Sequence, residues 1–186
     1  MPSWARIATR MRVPLGFLFA VAYVWFATPG WISVAVGCTM ATVGLLVRAA
    51  ASGHIRKNAQ LTTTGPYAYV RNPLYFGSIL IAMGFIVAAR NPWIGLAACA
   101  MFLFVYVPVV RAEENYLRSA FPEYAEYSAQ VARFWPRLTP YCSRGAGEGG
   151  GAAPFSRELY MRHREYNAFL GAVLMIVVLI FKLIRK

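Results

Sequence analysis

The sequence predicts an all-α fold, a polytopic membrane helical bundle of about five transmembrane helices. Three observations lead there. Hydrophobic residues make up 59% of the 186 and mean hydropathy is +0.48, whereas a soluble domain is roughly 45–50% apolar. The apolar residues gather in long runs punctuated by Thr-Pro-Gly, Gly-Pro and Asn-Pro steps. Basic residues flank these runs and are absent from them.

The first run is Val13–Ala27. It leads into Thr28-Pro29-Gly30-Trp31 and not into a small-x-small cleavage site, so it reads as a membrane helix and not as a cleavable signal peptide. That turn is too short to let two helices separate, and Trp31–Val47 therefore returns antiparallel to the first. Leu74–Ala89 and Trp93–Val110 form a second hairpin, joined at Asn91-Pro92, where an N-cap and a first-turn proline open the fourth helix. Ala168–Phe181 is the last run. Several runs are shorter than the ~20 residues that cross a ~30 Å hydrocarbon core, so flanking Arg, Trp and Tyr complete the span by snorkelling and interfacial anchoring. Arg6, Arg10, Arg12, Arg48, Arg56, Lys57, Arg71, Arg111, Arg118, Arg133 and Arg137 fall on one side against Arg90 on the other, which predicts a cytoplasmic N-terminus. A fifth crossing then carries Lys182, Arg185 and Lys186 to the outside.

Composition also divides the chain. Ser143 to Ala153, SRGAGEGGGAA, reads as a flexible linker. The expected organisation is a membrane body of residues 1–141, a linker at 142–154, and an appendix at 155–186. The appendix comprises an amphipathic approach from Phe155 to Tyr166 and a membrane helix that packs on the body or on a second copy, giving a homo-oligomer. The net charge is +12, but the basic residues are not interleaved with surface aromatics, so anionic lipid head groups are the expected partners and nucleic acid is not. Cys38, Cys99 and Cys142 are far apart, and neither a metal spacing nor a disulfide framework is predicted.

Chemistry is expected in two polar stretches. The first is GPYAYVRNPLYFG, Gly65 to Gly77. Gly65-Pro66 makes a turn, and Asn72-Pro73 supplies an N-cap and first-turn proline to the third membrane helix. Turn formation alone does not account for Arg71 with Tyr67, Tyr69 and Tyr75 gathered at a helix N-terminus, where free N–H groups hold a carboxylate or phosphate. The second stretch is VVRAEENYLRSAFPEYAEYSAQVARFWP, Val109 to Pro136. Adjacent residues on a helix point ~100° apart, so at most one of Glu113 and Glu114 faces a given cavity squarely. Glu114 can pair with Arg118 one turn on, which leaves Glu113 as the functional carboxylate at the membrane boundary. From Pro122 a further helix is expected, with Tyr124, Tyr127, Val131 and Phe134 at helical spacing along the inner membrane surface. Most of that stripe reads as packing, with Tyr127 a candidate ligand contact through its hydroxyl. His54 and His163 are the only histidines, and His54 reads as a loop or interfacial residue.

Taken in order, with a membrane hairpin between them, the two stretches resemble the integral-membrane methyltransferases typified by isoprenylcysteine carboxyl methyltransferase and phosphatidylethanolamine N-methyltransferase. The resemblance runs from about His54 to Pro136 and does not reach the appendix. It implies S-adenosylmethionine-dependent methyl transfer at the cytoplasmic face, to a lipophilic or amphiphilic acceptor that enters from the lipid. The cofactor candidates it implies are Tyr67, Arg71, Asn72, Pro73, Tyr75, Gly77, Glu113 and Glu114, with Tyr127 beside them; Arg71, Glu113 and Glu114 are the catalytic candidates. Asn72 stands where the family carries histidine, so this position can hydrogen-bond but cannot act as a base near neutral pH. Methyl transfer from a sulfonium needs alignment and exclusion of water, and no metal. An anionic acceptor requires no base, whereas an amine leaves Glu113, Glu114 or a water to take its proton. Membrane sterol reductases, which use NADPH, resemble the first stretch as well; the acidic pair favours the cationic cofactor. A non-catalytic membrane scaffold explains the charges but neither motif. Because the resemblance stops short of the appendix, cofactor binding is expected to survive deletion of the residues after Ser143.

Overall fold

The computed structural model describes residues 3–55, 60–142 and 155–185. The linker at 143–154 lies outside them, as do Arg56, Lys57 and Lys186 of the charge pattern. Of the described residues 76% are helical, and no strand occurs among them. The helices are α1 Ser3–Phe26, α2 Trp31–Ser52, α3 Pro73–Ala89, α4 Pro92–Met101, α5 Val107–Ala120, α6 Tyr124–Gln130, α7 Arg157–Arg162 and α8 Tyr166–Ile184; a 3₁₀ turn occupies Gly65–Ala68. Among the described residues, four stretches are long and apolar enough to cross a membrane: Arg6–Phe26, Trp31–Ser52, Pro92–Ala120 and Tyr166–Ile184; α3 is shorter. At 17 residues α3 is about 26 Å long. The protein is an integral membrane protein.

Contacts divide the chain into two compact units: residues 1–41, 82–117 and 173–186 in one, and 42–81 and 118–172 in the other. The first unit is organised around the end of α1. The last four carbonyls of a helix have no partner within it, and in an apolar setting each must find one. All four do here. Ala27 N–H donates to the Tyr23 carbonyl at 2.9 Å, Lys182 Nζ to those of Val24 and Trp25 at 2.7 and 2.9 Å, and Asn91 Nδ2 to that of Phe26 at 2.9 Å. Lys182 is on α8, so the last helix is fastened to the first. Leu179 joins Tyr23, Ala27, Val34, Ala88, Ala89 and Ile94 in the same core. The Tyr23 hydroxyl donates to the Phe85 carbonyl at 2.8 Å, with the two rings edge to face. Gly37 and Gly84 pack backbone on backbone, and a Cβ on either would strike the carbonyl of the other. Such small-residue contacts let apolar helices approach where lipid tails offer no hydrophobic contrast.

The fourth predicted run is longer than its expected end at Val110, continuing to Ala120 with one irregularity. Phe102–Tyr106 forms a π-helical turn, in which Val107 N–H donates to the Phe102 carbonyl. Pro108 explains it: proline has no N–H to offer and its ring collides with the carbonyl four residues back, here Phe104. The displaced Phe104 carbonyl accepts from the Trp4 indole Nε1 at 3.2 Å.

The second unit holds the later part of α2 against the start of α3. A Cβ on Gly44 would come within 2.6 Å of the Gly77 carbonyl, and one on Gly77 within 2.7 Å of the Gly44 carbonyl. The helix expected to run from Pro122 through Phe134 covers only Tyr124–Gln130. Val131 turns extended, and the residues after it run back along the Gly65–Arg71 loop, exchanging backbone hydrogen bonds with it. In the appendix the approach segment is helical only over Arg157–Arg162, capped by Ser156 Oγ accepting from Leu159 N–H at 3.3 Å. It ends before Arg164, whose φ is +53°.

Candidate functional site

The Gly65–Gly77 stretch is held in the second unit from both sides. Gly65 has φ +59°, a conformation glycine adopts without strain, and the His54 imidazole lies where its Cβ would be. Tyr67, Ala68 and Val70 are buried. Their polar backbone is matched by the chain around and after α6. The Tyr127 hydroxyl donates to the Tyr67 carbonyl at 2.6 Å, Tyr141 N–H to that of Ala68 at 2.9 Å, and Arg137 N–H to that of Tyr69 at 3.0 Å, while Arg71 N–H donates to Ala132 at 3.0 Å. Tyr124, Tyr127 and Tyr141 meet edge to face, with centroids 6.1 and 5.3 Å apart. Burial, reinforced by neighbouring Tyr124, pushes the Tyr127 hydroxyl well above its usual value against a smaller opposing pull from Arg71. Tyr127, 2% exposed, therefore stays neutral and holds the loop.

Pro73 opens α3 as expected. The Asn72 carbonyl accepts the first helical bond from Phe76 N–H at 2.9 Å, the geometry of a residue at the N-cap. Its buried side-chain amide points to the Arg133 carbonyl at 3.5 Å. Arg71 Nη1 approaches the Tyr124 hydroxyl, also at 3.5 Å, and Arg71 is half-buried. Tyr75 is half-buried, and Gly77 sits in the α2–α3 contact against Gly44 and Arg48.

Glu113 and Glu114 lie on α5 in the first unit. Glu114 is 6% exposed, while Glu113 is half-buried and Arg118 faces solvent. The more withdrawn carboxylate is thus Glu114, although spacing alone pointed to Glu113. The structure thus gathers Tyr67, Arg71, Asn72, Pro73, Tyr75, Gly77 and Tyr127 in one unit and the acidic pair in the other.

Sequence reasoning missed Arg48 and Glu165, which form a charged, forked contact in the second unit. The available signal was weak: one arginine following an apolar run, and one glutamate among the charges of the appendix.

Known proteins resemble the chain over most of this region. The family model described as phospholipid methyltransferase matches residues 17–124, more than half of the chain and inclusive of both Gly65–Gly77 and the acidic pair. The cobalt-zinc-cadmium resistance protein CzcN of Cupriavidus metallidurans is 33% identical over 132 residues, which are 66% of this chain and 61% of that protein. The nickel-cobalt-cadmium resistance protein NccN of Alcaligenes xylosoxydans xylosoxydans is 39% identical over 122 residues, 61% of this chain and 55% of that protein. The chain thus spans little more than half the length of these relatives. No solved structure matches it. On the strength of the family match across both polar stretches, the chain belongs to the phospholipid methyltransferase family.

Proposed function

We propose that this protein transfers a methyl group from S-adenosylmethionine to a lipophilic or amphiphilic acceptor drawn from the bilayer, at the cytoplasmic membrane boundary. The observation that carries the reading is that one family match spans both chemically distinctive stretches, 65–77 and 113–114. S-adenosylmethionine supplies an electrophilic methyl group on a sulfonium, together with a carboxylate and an ammonium by which it can be held. The residues present suit such a group. Within the first unit, Glu114, withdrawn from water, is the member of the acidic pair to which this reading assigns a charge-assisted contact with a cationic group. Arg71 and the N-terminal turn of α3 offer a cation and N–H donors to an anionic end.

The remaining contributions are orientation and dryness. Tyr67, Asn72 and Pro73 are buried, so they shape and desolvate the loop, and Tyr127 fixes it by its bond to Tyr67. In this reading Tyr127 acts through the loop and not on the ligand. An acceptor already anionic needs only alignment with the methyl group; for an amine acceptor Glu113 or Glu114 takes the proton. The two relatives are named for resistance to cobalt, zinc and cadmium and to nickel, cobalt and cadmium, and the acceptor is sought among membrane lipids.

Equilibrium dialysis of the detergent-purified protein against labelled S-adenosylmethionine and, separately, labelled NADPH tests the cofactor. Binding of the first and not the second is expected. NADPH binding alone would replace the methyltransferase with a reductase, and binding of neither would leave a scaffold.

A further inference from the structure

We infer that Glu165 and Phe155, both beyond the family match, are positioning residues for the Gly65–Gly77 stretch, and that through them the C-terminal segment sets the affinity of the cofactor site. The part concerning affinity rests on the function proposed above. The contacts lie within the second unit and grip the two ends of the stretch.

At one end, Arg48 on α2 uses its guanidinium in two directions. Nε and Nη2 fork onto the Glu165 carboxylate at 3.0 and 2.8 Å. Nη1 donates to the Ser78 hydroxyl and, at 3.3 Å, to the Leu74 carbonyl in the first turn of α3. The arginine stem reaches this position by crossing Gly77, where a Cβ would come within 2.7 Å of Arg48 Cγ. The Arg48 and Glu165 side chains are 21% and 11% exposed, so loss of the carboxylate would leave a poorly hydrated cation without its counter-charge, and the cation would leave α3 to find water. The planar fork of arginine makes the direction of the contact specific.

At the other end, Ser156 N–H donates to the Gly53 carbonyl at 2.9 Å, and the Phe155 ring lies against Gly53, which has no side chain to obstruct it. The same ring meets His54 edge to face at a centroid distance of 6.3 Å. His54 Nδ1 is 2.7 Å from the Ala50 carbonyl, and the imidazole fills the space over Gly65, the first residue of the stretch. A segment that the family match does not include therefore bears on both ends of the stretch it does include. This reverses the expectation that the residues after Ser143 are dispensable for cofactor binding.

The test uses the full-length protein in detergent, with Glu165→Gln, Glu165→Asp and Phe155→Ala, and with Glu158→Gln, an exposed site on α7, as control. Amide hydrogen exchange is followed by mass spectrometry, and S-adenosylmethionine affinity by calorimetry. For Glu165→Gln, exchange in residues 65–78 should rise by roughly tenfold while residues 82–117 keep wild-type rates, and cofactor affinity should fall by roughly tenfold. Glu165→Asp should recover part of both effects, and the control should show neither. Phe155→Ala carries the test if Glu165→Gln does not fold. Unchanged exchange at 65–78 overturns the inference, as does raised exchange with undiminished affinity. If the wild type itself binds no S-adenosylmethionine, the functional reading fails separately, and the exchange result alone decides whether Glu165 positions the stretch.

Discussion

Replacing Tyr127 by Phe removes one oxygen and leaves the ring in place against Tyr124 and Tyr141. The lost contact is the 2.6 Å bond from a buried hydroxyl to the Tyr67 carbonyl. A neutral hydrogen bond contributes about 0.5–1.5 kcal/mol net, and a buried group deprived of its donor costs about 1–3 kcal/mol. The deprived group is buried, so the larger range applies. Thermal unfolding of the detergent-solubilised protein should show it as a drop in Tm of about 2–4 °C for each kcal/mol at this chain length. Alkaline titration gives an independent check. Burial raises the folded-state value of this hydroxyl above its ordinary 10.0, so the unfolded chain loses the proton first as pH rises. The stabilisation is complete below the unfolded value and disappears as pH climbs through the folded one. The Tm gap between wild type and Tyr127→Phe should therefore be full near neutrality and narrow in strong alkali. An unchanged Tm, with unchanged amide protection over residues 67–71, would refute the assignment of Tyr127 as the loop's anchor.

Four further substitutions probe other joints. Gly77→Ala drives a Cβ to within 2.7 Å of the Gly44 carbonyl and of Arg48, and should cost about 1–3 kcal/mol by overpacking, read as a lower Tm. Lys182→Met keeps the stem but removes both donors to the Val24 and Trp25 carbonyls; a loss of about 1–3 kcal/mol is expected, with faster amide exchange at the end of α1. Glu114→Gln should weaken S-adenosylmethionine binding by roughly tenfold or more in calorimetry, as loss of a charge-assisted contact does, while Glu113→Gln should do less because its carboxylate is better hydrated.

The helices were legible because hydrophobic length and proline punctuation are local properties. Asn91-Pro92 names the start of α4 by itself: its side chain caps Trp93 N–H at 2.9 Å, and no distant residue is needed to see it. The start of α3 at Pro73 was legible for the same reason. What depends on a partner far along the chain was not. The π turn before Pro108 needed Trp4 to accommodate the freed Phe104 carbonyl, a pairing over 100 residues that no periodicity announces. Helical spacing carried the helix expected from Pro122 through Phe134, whereas hydrogen bonds to Tyr69 and Arg71 drew that segment into an extended return. At the site, the motifs identified themselves by residue type, but which glutamate is withdrawn from water depends on packing around α5. The role of Glu165 was invisible because its arginine lies 117 positions away.

Methyl transfer itself tests the account most directly. The full-length protein is reconstituted into vesicles made from a total lipid extract, supplied with S-adenosylmethionine labelled in the methyl group, and the lipid phase is then analysed by mass and by label. Time-dependent appearance of label in a lipid of one class, roughly tenfold slower or more in Glu114→Gln, is the predicted result. Tight binding of S-adenosylmethionine without label ever entering the lipid phase, or transfer that proceeds equally well in Glu114→Gln, would contradict it.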